Sequence, residues 1–198
     1  WSTLSPHRCT SMVGGPQVVK VAPHDGWVRV AVFAELREVT PASVAQVKAF
    51  LAEANATPLS ALVLLGSNAA TVVEATALFD AVASPAYQTI VVPGDRERIS
   101  ELREVISIHP QRATITDATR PTVVDAEVVR LLVVGGMPSA AQLASPVDGC
   151  MYEPSDVDAL RREVEAWPTV EPAIPPWLAA LVAAPVRGDA DLGETAIH

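Results

Sequence analysis

Residues 89–100, TIVVPGDRERIS, lead from an apolar strand through a Pro-Gly turn into a charged helix start. The strand pattern is continuous rather than alternating, which is typical of a strand that is buried on both faces. The carboxylates that follow suit the first turn of a helix, because they accept hydrogen bonds from free N–H groups and favour the positive end of the helix dipole. The stretch therefore predicts a strand–loop–helix unit of an α/β fold, in which Asp95, Arg96 and Glu97 begin the helix.

The same order of strand and helix occurs three times in succession. The predicted strands cover 28–33, 61–65 and 87–92, and the predicted helices cover 41–54, 69–83 and 97–105. Thr40 and Pro41 strengthen the first helix, because threonine is a good N-cap and proline suits the first helical position. Apolar strands that alternate with helices predict parallel strands covered on both faces.

The rhythm changes after Val105, where short β-like runs follow one another without room for crossover helices. These runs cover 105–110, 112–116, 121–126 and 128–136. Such spacing predicts an antiparallel or mixed continuation of the sheet. Three further elements are expected: a short strand over 17–21, a helix over 155–167, and a strand or a helix over 177–186. We therefore predict an irregular N-terminal segment over 1–27 and a single domain over 28–198.

The composition narrows the classes of protein to which the chain can belong. With 198 residues, 49% of them hydrophobic and 19% charged, the chain is expected to be a soluble globular domain rather than a disordered one. No apolar run approaches the roughly 20 residues of a membrane span. The net charge is −9 and the only lysines are Lys20 and Lys48, so we expect no nucleic-acid partner. The sequence leaves the compartment open, with a slight preference for the cytoplasm.

The ends of the three predicted strands are the places where a site is expected. In open α/β sheets, ligands bind beyond the carboxyl ends of the parallel strands, because loops and helix N-termini converge there. Polar residues follow all three strands: Glu35 and Arg37, then Ser67 and Asn68, then Asp95, Arg96 and Glu97. Ser67 lacks the Gly-x-Ser-x-Gly pattern of an activated nucleophile, so helix capping is its expected role.

These three loops resemble the metal-binding loops of the calcineurin-like metallophosphoesterases. That family has Asp-x-His, Gly-Asp and Gly-Asn-His-Glu after its first three strands, where this chain has ELR at 35–37, GS at 66–67 and GDRE at 94–97. LLVVGGMP at 131–138 looks like a strand-and-glycine segment of the family, and LVAAPVRGDADLG at 181–193 looks like its Ser-His-x-Pro-Pro stretch, with Ala183 at the histidine. The resemblance covers residues 28–198. It implies a metallophosphoesterase-like α/β sandwich with a mixed central sheet and outer helices, whose C-terminal strands are expected to be missing from this sequence.

The departures from the family pattern decide the expected function. The family uses two divalent metals, held by carboxylate and imidazole ligands, to activate a bridging hydroxide. Arg37 and Arg96 stand at two ligand positions, and a guanidinium group has no lone pair for a metal. Ser67 is a poor bridging ligand, and Ala183 cannot ligate at all. We therefore expect no metal cofactor, no catalytic residue and a vestigial site at the strand ends.

The resemblance then implies a noncatalytic metallophosphoesterase-like protein that acts as a binding or structural module. Its two substituted arginines are expected to pair with Glu35, Asp95 or Glu97. Alternatively, those arginines and two helix N-termini hold a phosphate, another small anion or an acidic side chain of a protein partner. The competing interpretation is a divergent phosphoesterase, which hydrolyses phosphomonoesters or phosphodiesters with a single-metal site from Glu35, Asp95 and Ser67.

Overall fold

The structure is a computed structural model of the chain. It describes residues 7–8, 17–34, 36, 38–66, 68–94, 97–126, 129–138, 150–152, 158, 161–162, 166 and 177–182. The strands are β1 (His7–Arg8), β2 (Gln17–Lys20), β3 (Val30–Ala34), β4 (Ala61–Leu65), β5 (Gln88–Val92), β6 (Ile115–Asp117), β7 (Thr122–Asp125), β8 (Val129–Val134), β9 (Met137–Pro138), β10 (Cys150–Tyr152) and β11 (Trp177–Val182). The helices are α1 (Pro41–Ala54), α2 (Val72–Val82) and α3 (Ile99–Ile108), and a short 3₁₀ helix covers Arg112–Thr114.

Four parallel strands form the sheet that carries the candidate site. Their order is β3-β4-β5-β6, and each strand pairs in parallel with the next one along the chain. α1, α2 and α3 each connect two neighbouring strands, and their apolar side chains pack in one cluster with Leu62, Leu64 and Val91 of the sheet. The prediction of parallel strands joined by helices is confirmed.

A second sheet covers the other face of the parallel sheet. Its order is β11-β8-β7-β2; β7 and β8 are antiparallel, whereas the β2–β7 and β8–β11 pairs are parallel. Val124 and Val133 of this sheet pack in one cluster with Ala61, Val63 and Ile90 of the parallel sheet. β4 thus directs alternate side chains to the helices and to the second sheet, which explains why its sequence is apolar throughout.

The segment after Val105 differs from the sequence-based prediction in two ways. Residues 105–110 do not form a β-like run, because α3 continues to Ile108 and buries Val105 and Ile106 at helical spacing from Leu102. The mixed arrangement belongs to the second sheet, whereas β6 extends the first sheet in parallel. Short runs rich in β-branched residues are ambiguous between helix and strand, and here the packing of the helix decides.

The first residues of α1 and α2 are set by the threonines that cap these two helices. Thr40 caps α1 as predicted: its Oγ1 accepts from the Ser43 N–H at 3.2 Å, and the Ser43 hydroxyl oxygen accepts from the Thr40 N–H at 2.8 Å. α2 begins at Val72 rather than at residue 69, because its N-cap is Thr71, which accepts from the N–H of Glu74 at 3.2 Å. These caps determine where each loop ends and its helix begins.

The remaining predicted elements lie at the two ends of the chain. β2 confirms the strand expected over 17–21, and within the ambiguous run over 177–186 the described residues 177–182 form the strand β11. Within the helix predicted over 155–167, residues 158, 161 and 162 are helical and most others lie outside the described residues.

A small third sheet joins β1, β10 and β9 in parallel. In the described parts of the chain, no helix is long and apolar enough to cross a membrane. The division at residue 27 stays a prediction.

Candidate functional site

The carboxyl edge of the parallel sheet, where β3 to β6 end, brings two of the predicted site residues together. Asn68 follows β4 and Glu97 follows β5, and these two strands are neighbours in the sheet. The other predicted residues, namely Glu35, Arg37, Ser67, Asp95, Arg96 and Ala183, lie outside the described residues. The described part of the site therefore consists of Asn68, Glu97 and the described residues of the loops around them.

Glu97 links two neighbouring loops through its carboxylate. Oε2 accepts a hydrogen bond from the Gly94 N–H at 2.8 Å, and Oε1 accepts one from the N–H of Asn68. Glu97 is only 3% exposed, so these bonds are shielded from water. One buried carboxylate thus holds the loop after β4 beside the loop after β5.

Two opposing effects act on the charge of Glu97. Burial raises the pKa of Glu97 above its ordinary value, since removal from water disfavours the charged form. Hydrogen bonds from main-chain N–H groups, those of Asn68, Ala69, Gly94 and Glu97 itself, oppose the rise in pKa. Burial has the larger effect of the two. The carboxylate is therefore stabilised by the loops that it joins rather than by water.

The start of α3 is separate from this carboxylate. The N-cap of α3 is Arg98, whose side chain makes no capping hydrogen bond. Arg98 instead pairs with Glu101 across the first turn, at 3.2 Å and partly exposed to water. Glu97 accepts main-chain N–H groups, as predicted for an acidic residue near a helix start, but the named donors lie in the two loops and not in the first turn of α3.

Asn68 combines a fixed backbone with an unsatisfied side chain. It is 3% exposed, and its N–H donates to Glu97. Both polar atoms of its side chain, Oδ1 and Nδ2, are buried without a hydrogen-bond partner. The sequence placed Asn68 at a strand end but did not predict this state, since it depends on the conformation of the loop.

Gly135 and Gly136 bring the second sheet to the same edge. A Cβ atom at Gly135 would lie 2.8 Å from Pro93 Cδ and 3.1 Å from the carbonyl oxygen of Ala118. Gly136 has a φ of 104°, which favours glycine, and its N–H donates to the Pro93 carbonyl oxygen at 2.7 Å. The turn after β8 therefore supports the loop that leads to Glu97. The sequence indicated a glycine-rich segment after a strand, but not its contact with Pro93.

An arginine at the carboxyl edge is already engaged by neighbouring side chains. Arg103 on α3 donates through Nε to Asp117 Oδ2 at 2.9 Å and through Nη2 to the Thr119 hydroxyl oxygen at 2.6 Å. Asp117 in turn accepts from the Thr119 N–H at 2.8 Å. These contacts fasten α3 to the end of β6. Arg103 therefore has a structural role beside the site.

A narrow cleft lies between the first turns of α2 and α3. Residues that line it include Ala69, Ala70, Thr71, Glu97, Arg98 and Glu101. The cleft has room for about a single water molecule. It is therefore too small for a phosphate.

Metal ligation is the other property of this edge for which the sequence gives an expectation. Among the residues that the structure describes, no group of three or more His, Cys, Asp or Glu side chains is placed to hold a metal ion. The positions that would carry ligands in a metallophosphoesterase lie mostly outside those residues. The expected absence of a metal cofactor therefore stays a prediction.

The buried histidine His109 lies at the amino edge, the opposite edge of the parallel sheet, where β3 to β6 begin. Its Nε2 lies 3.2 Å from Asp80 Oδ1, and its Nδ1 accepts from the Gln111 N–H at 3.1 Å. Because Nδ1 accepts, the ring proton is on Nε2 and points to Asp80. His109 therefore joins α2 to the segment after α3, far along the sheet from the candidate site.

Comparisons with known proteins give no relative for this chain. No protein-family model, no curated protein and no solved structure matches it. The likeness to the metallophosphoesterases rests on the loop motifs of the sequence. What the structure establishes is a mixed α/β fold with a polar carboxyl edge, centred on Asn68 and Glu97.

Proposed function

We propose that the chain is a noncatalytic metallophosphoesterase-like protein, whose carboxyl edge binds a small anion such as phosphate without a metal. The observation that carries the proposal is the bonding of Glu97. Both of its oxygens accept main-chain N–H groups, from Asn68 and Gly94. A carboxylate used in this way serves to organise two loops.

The arrangement of the loops favours an anion at this edge. Glu97 holds the loop that precedes α2 beside the loop that precedes α3, and helix N-termini carry partial positive charge. Main-chain N–H groups near such termini bind phosphate and carboxylate groups. Arg37 and Arg96, which replace family metal ligands in the sequence, would add two permanent positive charges. An acidic group of a protein partner would satisfy the same chemistry.

The first test separates this proposal from the divergent phosphoesterase. The purified chain is analysed for bound metal, and hydrolysis of a phosphomonoester and a phosphodiester is assayed with and without added Mn²⁺. We expect no stoichiometric metal and no metal-dependent turnover. Stoichiometric metal, with turnover that is abolished by Asp95→Ala but retained by the control Asp158→Ala, would overturn the proposal in favour of a single-metal hydrolase. Asp158 is an exposed helical residue and suits the control.

The second test concerns the anion. Inorganic phosphate is titrated into the metal-free protein and the heat of binding is measured. Arg96→Ala is expected to weaken phosphate binding about tenfold or more, because charge-assisted hydrogen bonds are among the strong ones. Arg112→Ala is the matched control, since Arg112 is exposed and precedes β6 at the amino edge. Equal loss of binding in both variants would indicate general charge attraction rather than a site.

A further inference from the structure

The side-chain amide of Asn68 is a buried polar group for which the fold provides no partner. Oδ1 is an acceptor and Nδ2 a donor of two hydrogens, and neither makes a hydrogen bond. Native proteins rarely leave such groups unsatisfied, because burial without a partner costs free energy. A bound molecule that both accepts and donates would remove that cost.

The backbone of Asn68 is held in place independently of its side chain. Its N–H is bonded to the buried carboxylate of Glu97, which is itself bonded to Gly94 in the next loop. The buried amide is therefore held by a fixed main chain at the carboxyl edge, the edge at which ligands bind in parallel sheets. A preorganised group of this kind has little conformational freedom to lose on binding.

Thr89 provides an internal comparison. Its hydroxyl oxygen is also buried without a partner, and Thr89 is fully buried within β5. Thr89 is the second residue of β5, towards its amino end, so its hydroxyl lies away from the carboxyl edge where ligands bind in parallel sheets. Asn68 differs in its place at the strand end and in its pair of donor and acceptor atoms.

We infer that the Asn68 amide makes the anion site selective for an oxyanion that keeps an O–H group, namely hydrogen phosphate or a phosphomonoester monoanion. This inference rests on the proposed function. In such a complex, Nδ2 donates to an anionic oxygen of the ligand, and Oδ1 accepts from its P–OH group. Both unsatisfied atoms of Asn68 are then paired by one ligand.

Sulfate is the matched competitor. It has the same shape as phosphate, but at neutral pH it carries no O–H. Bound at this site it would leave Oδ1 of Asn68 facing an anionic oxygen, with two acceptors in repulsive contact. A site that hydrogen-bonds to a ligand's O–H discriminates strongly against an analogue that lacks it, because its own polar atom is left unpaired.

The experiment compares inorganic phosphate with sulfate at pH 7 and equal ionic strength, using calorimetric titration of the metal-free wild-type chain. We expect phosphate to bind about tenfold tighter or more. O-phosphoserine, titrated at pH 5.5 and pH 8, distinguishes the ester from free phosphate as the source of the ligand. The second ionisation of such esters lies near pH 6, so an ester is expected to bind better at pH 5.5.

Two variants test the role of the amide. Asn68→Leu removes both polar atoms at similar volume and is expected to abolish the preference for phosphate over sulfate. Thr89→Val removes the other unsatisfied polar atom and is expected to leave the preference unchanged. Circular dichroism confirms that both variants are folded, and the wild-type comparison stands even if Asn68→Leu does not fold.

The outcomes separate this inference from the proposal beneath it. If the wild type binds phosphate and sulfate equally, the Asn68 inference is overturned while an anion site remains. If Asn68→Leu keeps the preference, the selectivity arises elsewhere and the inference is again overturned. If the wild type binds neither anion, both the anion site and the role of Asn68 are overturned.

Discussion

The two edges of the parallel sheet differ in the pairing of the buried polar side chains that lie outside the strands. At the amino edge, His109 is bonded through both ring nitrogens, and the Tyr87 hydroxyl donates to a main-chain carbonyl at 2.6 Å. At the carboxyl edge, Glu97 accepts from two loops, yet the Asn68 amide beside it has no partner. Complete pairing favours one rigid arrangement, whereas an unpaired buried amide is costly. The loop side chains at the amino edge thus stabilise the fold, whereas the carboxyl edge contains an unpaired buried amide.

The largest effect is expected from removing the carboxylate that organises the carboxyl edge. Glu97→Ala leaves two buried main-chain N–H groups without an acceptor and opens a cavity, so we expect a loss of about 3 kcal/mol in the free energy of unfolding. Urea denaturation measures the loss. Glu101→Ala, in the first turn of α3, is the matched control, where a partly exposed ion pair contributes under about 1 kcal/mol. Similar losses in both variants would mean that Glu97 does not organise the loops.

The second largest effect is expected from a change in the contact between the second sheet and the carboxyl edge. Gly135→Ala places a methyl group 2.8 Å from Pro93 Cδ, so the turn or the proline must shift. We expect a loss of about 2 kcal/mol in the free energy of unfolding, which is typical of overpacking. The double variant Gly135→Ala with Pro93→Ala should recover part of the loss, because the contact is removed. Simple addition of the two single losses would contradict a direct clash.

Much of the fold follows from local signals in the sequence. α1 was predicted with its observed bounds, because Thr40 and Pro41 mark its start unambiguously. The predicted start of α2 is too early, because the two alanines before Thr71 favour a helix. The helix begins only after Thr71, which caps it by accepting a hydrogen bond from the N–H of Glu74. The end of α3 was missed because its last turn is rich in isoleucine, which also suits a strand. Local patterns therefore predicted the elements better than their ends.

The site was less predictable than the fold for a physical reason. Strand order alone predicted that Asn68 and Glu97 meet at one edge, because β4 and β5 are neighbours. Which atoms accept which N–H groups depends on loop dihedrals, which the sequence pattern does not encode. The approach of Gly135 to Pro93 depends on a sheet whose strands pair over long sequence separations. Short-range patterns carry no information on such pairing.

A smaller effect is expected at the amino edge. Tyr87→Phe removes the hydroxyl that donates to the Val82 carbonyl and keeps the buried ring, so we expect a loss of about 1 kcal/mol in the free energy of unfolding. Thermal denaturation measures it, and phosphate titration of the same variant should be unchanged from wild type. A change in anion binding would show that the two edges are coupled, which would break the comparison between them.

The last prediction concerns the pH dependence of stability. The pKa of Glu97 is raised in the folded state above its unfolded value of 4.5, so the folded chain takes up this proton more readily than the unfolded chain. The contribution of Glu97 is therefore most favourable below the unfolded pKa, and it declines as the pH rises through the folded pKa. This direction is opposite to that of a carboxylate in an exposed ion pair.

The pH prediction is tested against Glu97→Gln, which has a similar shape and does not titrate. Free energies of unfolding are measured for both proteins from pH 4 to pH 8, and their difference cancels the titration of the shared carboxylates. We expect the free energy of unfolding of the wild type to increase relative to that of the variant as the pH falls. If the free energy of unfolding of the wild type instead decreases relative to the variant on acidification, the main-chain N–H groups affect the pKa of Glu97 more than burial does, and this pKa is lowered. In that case Glu97 would be an anion held by the loops at every pH tested, and its negative charge would count against a second anion beside Asn68.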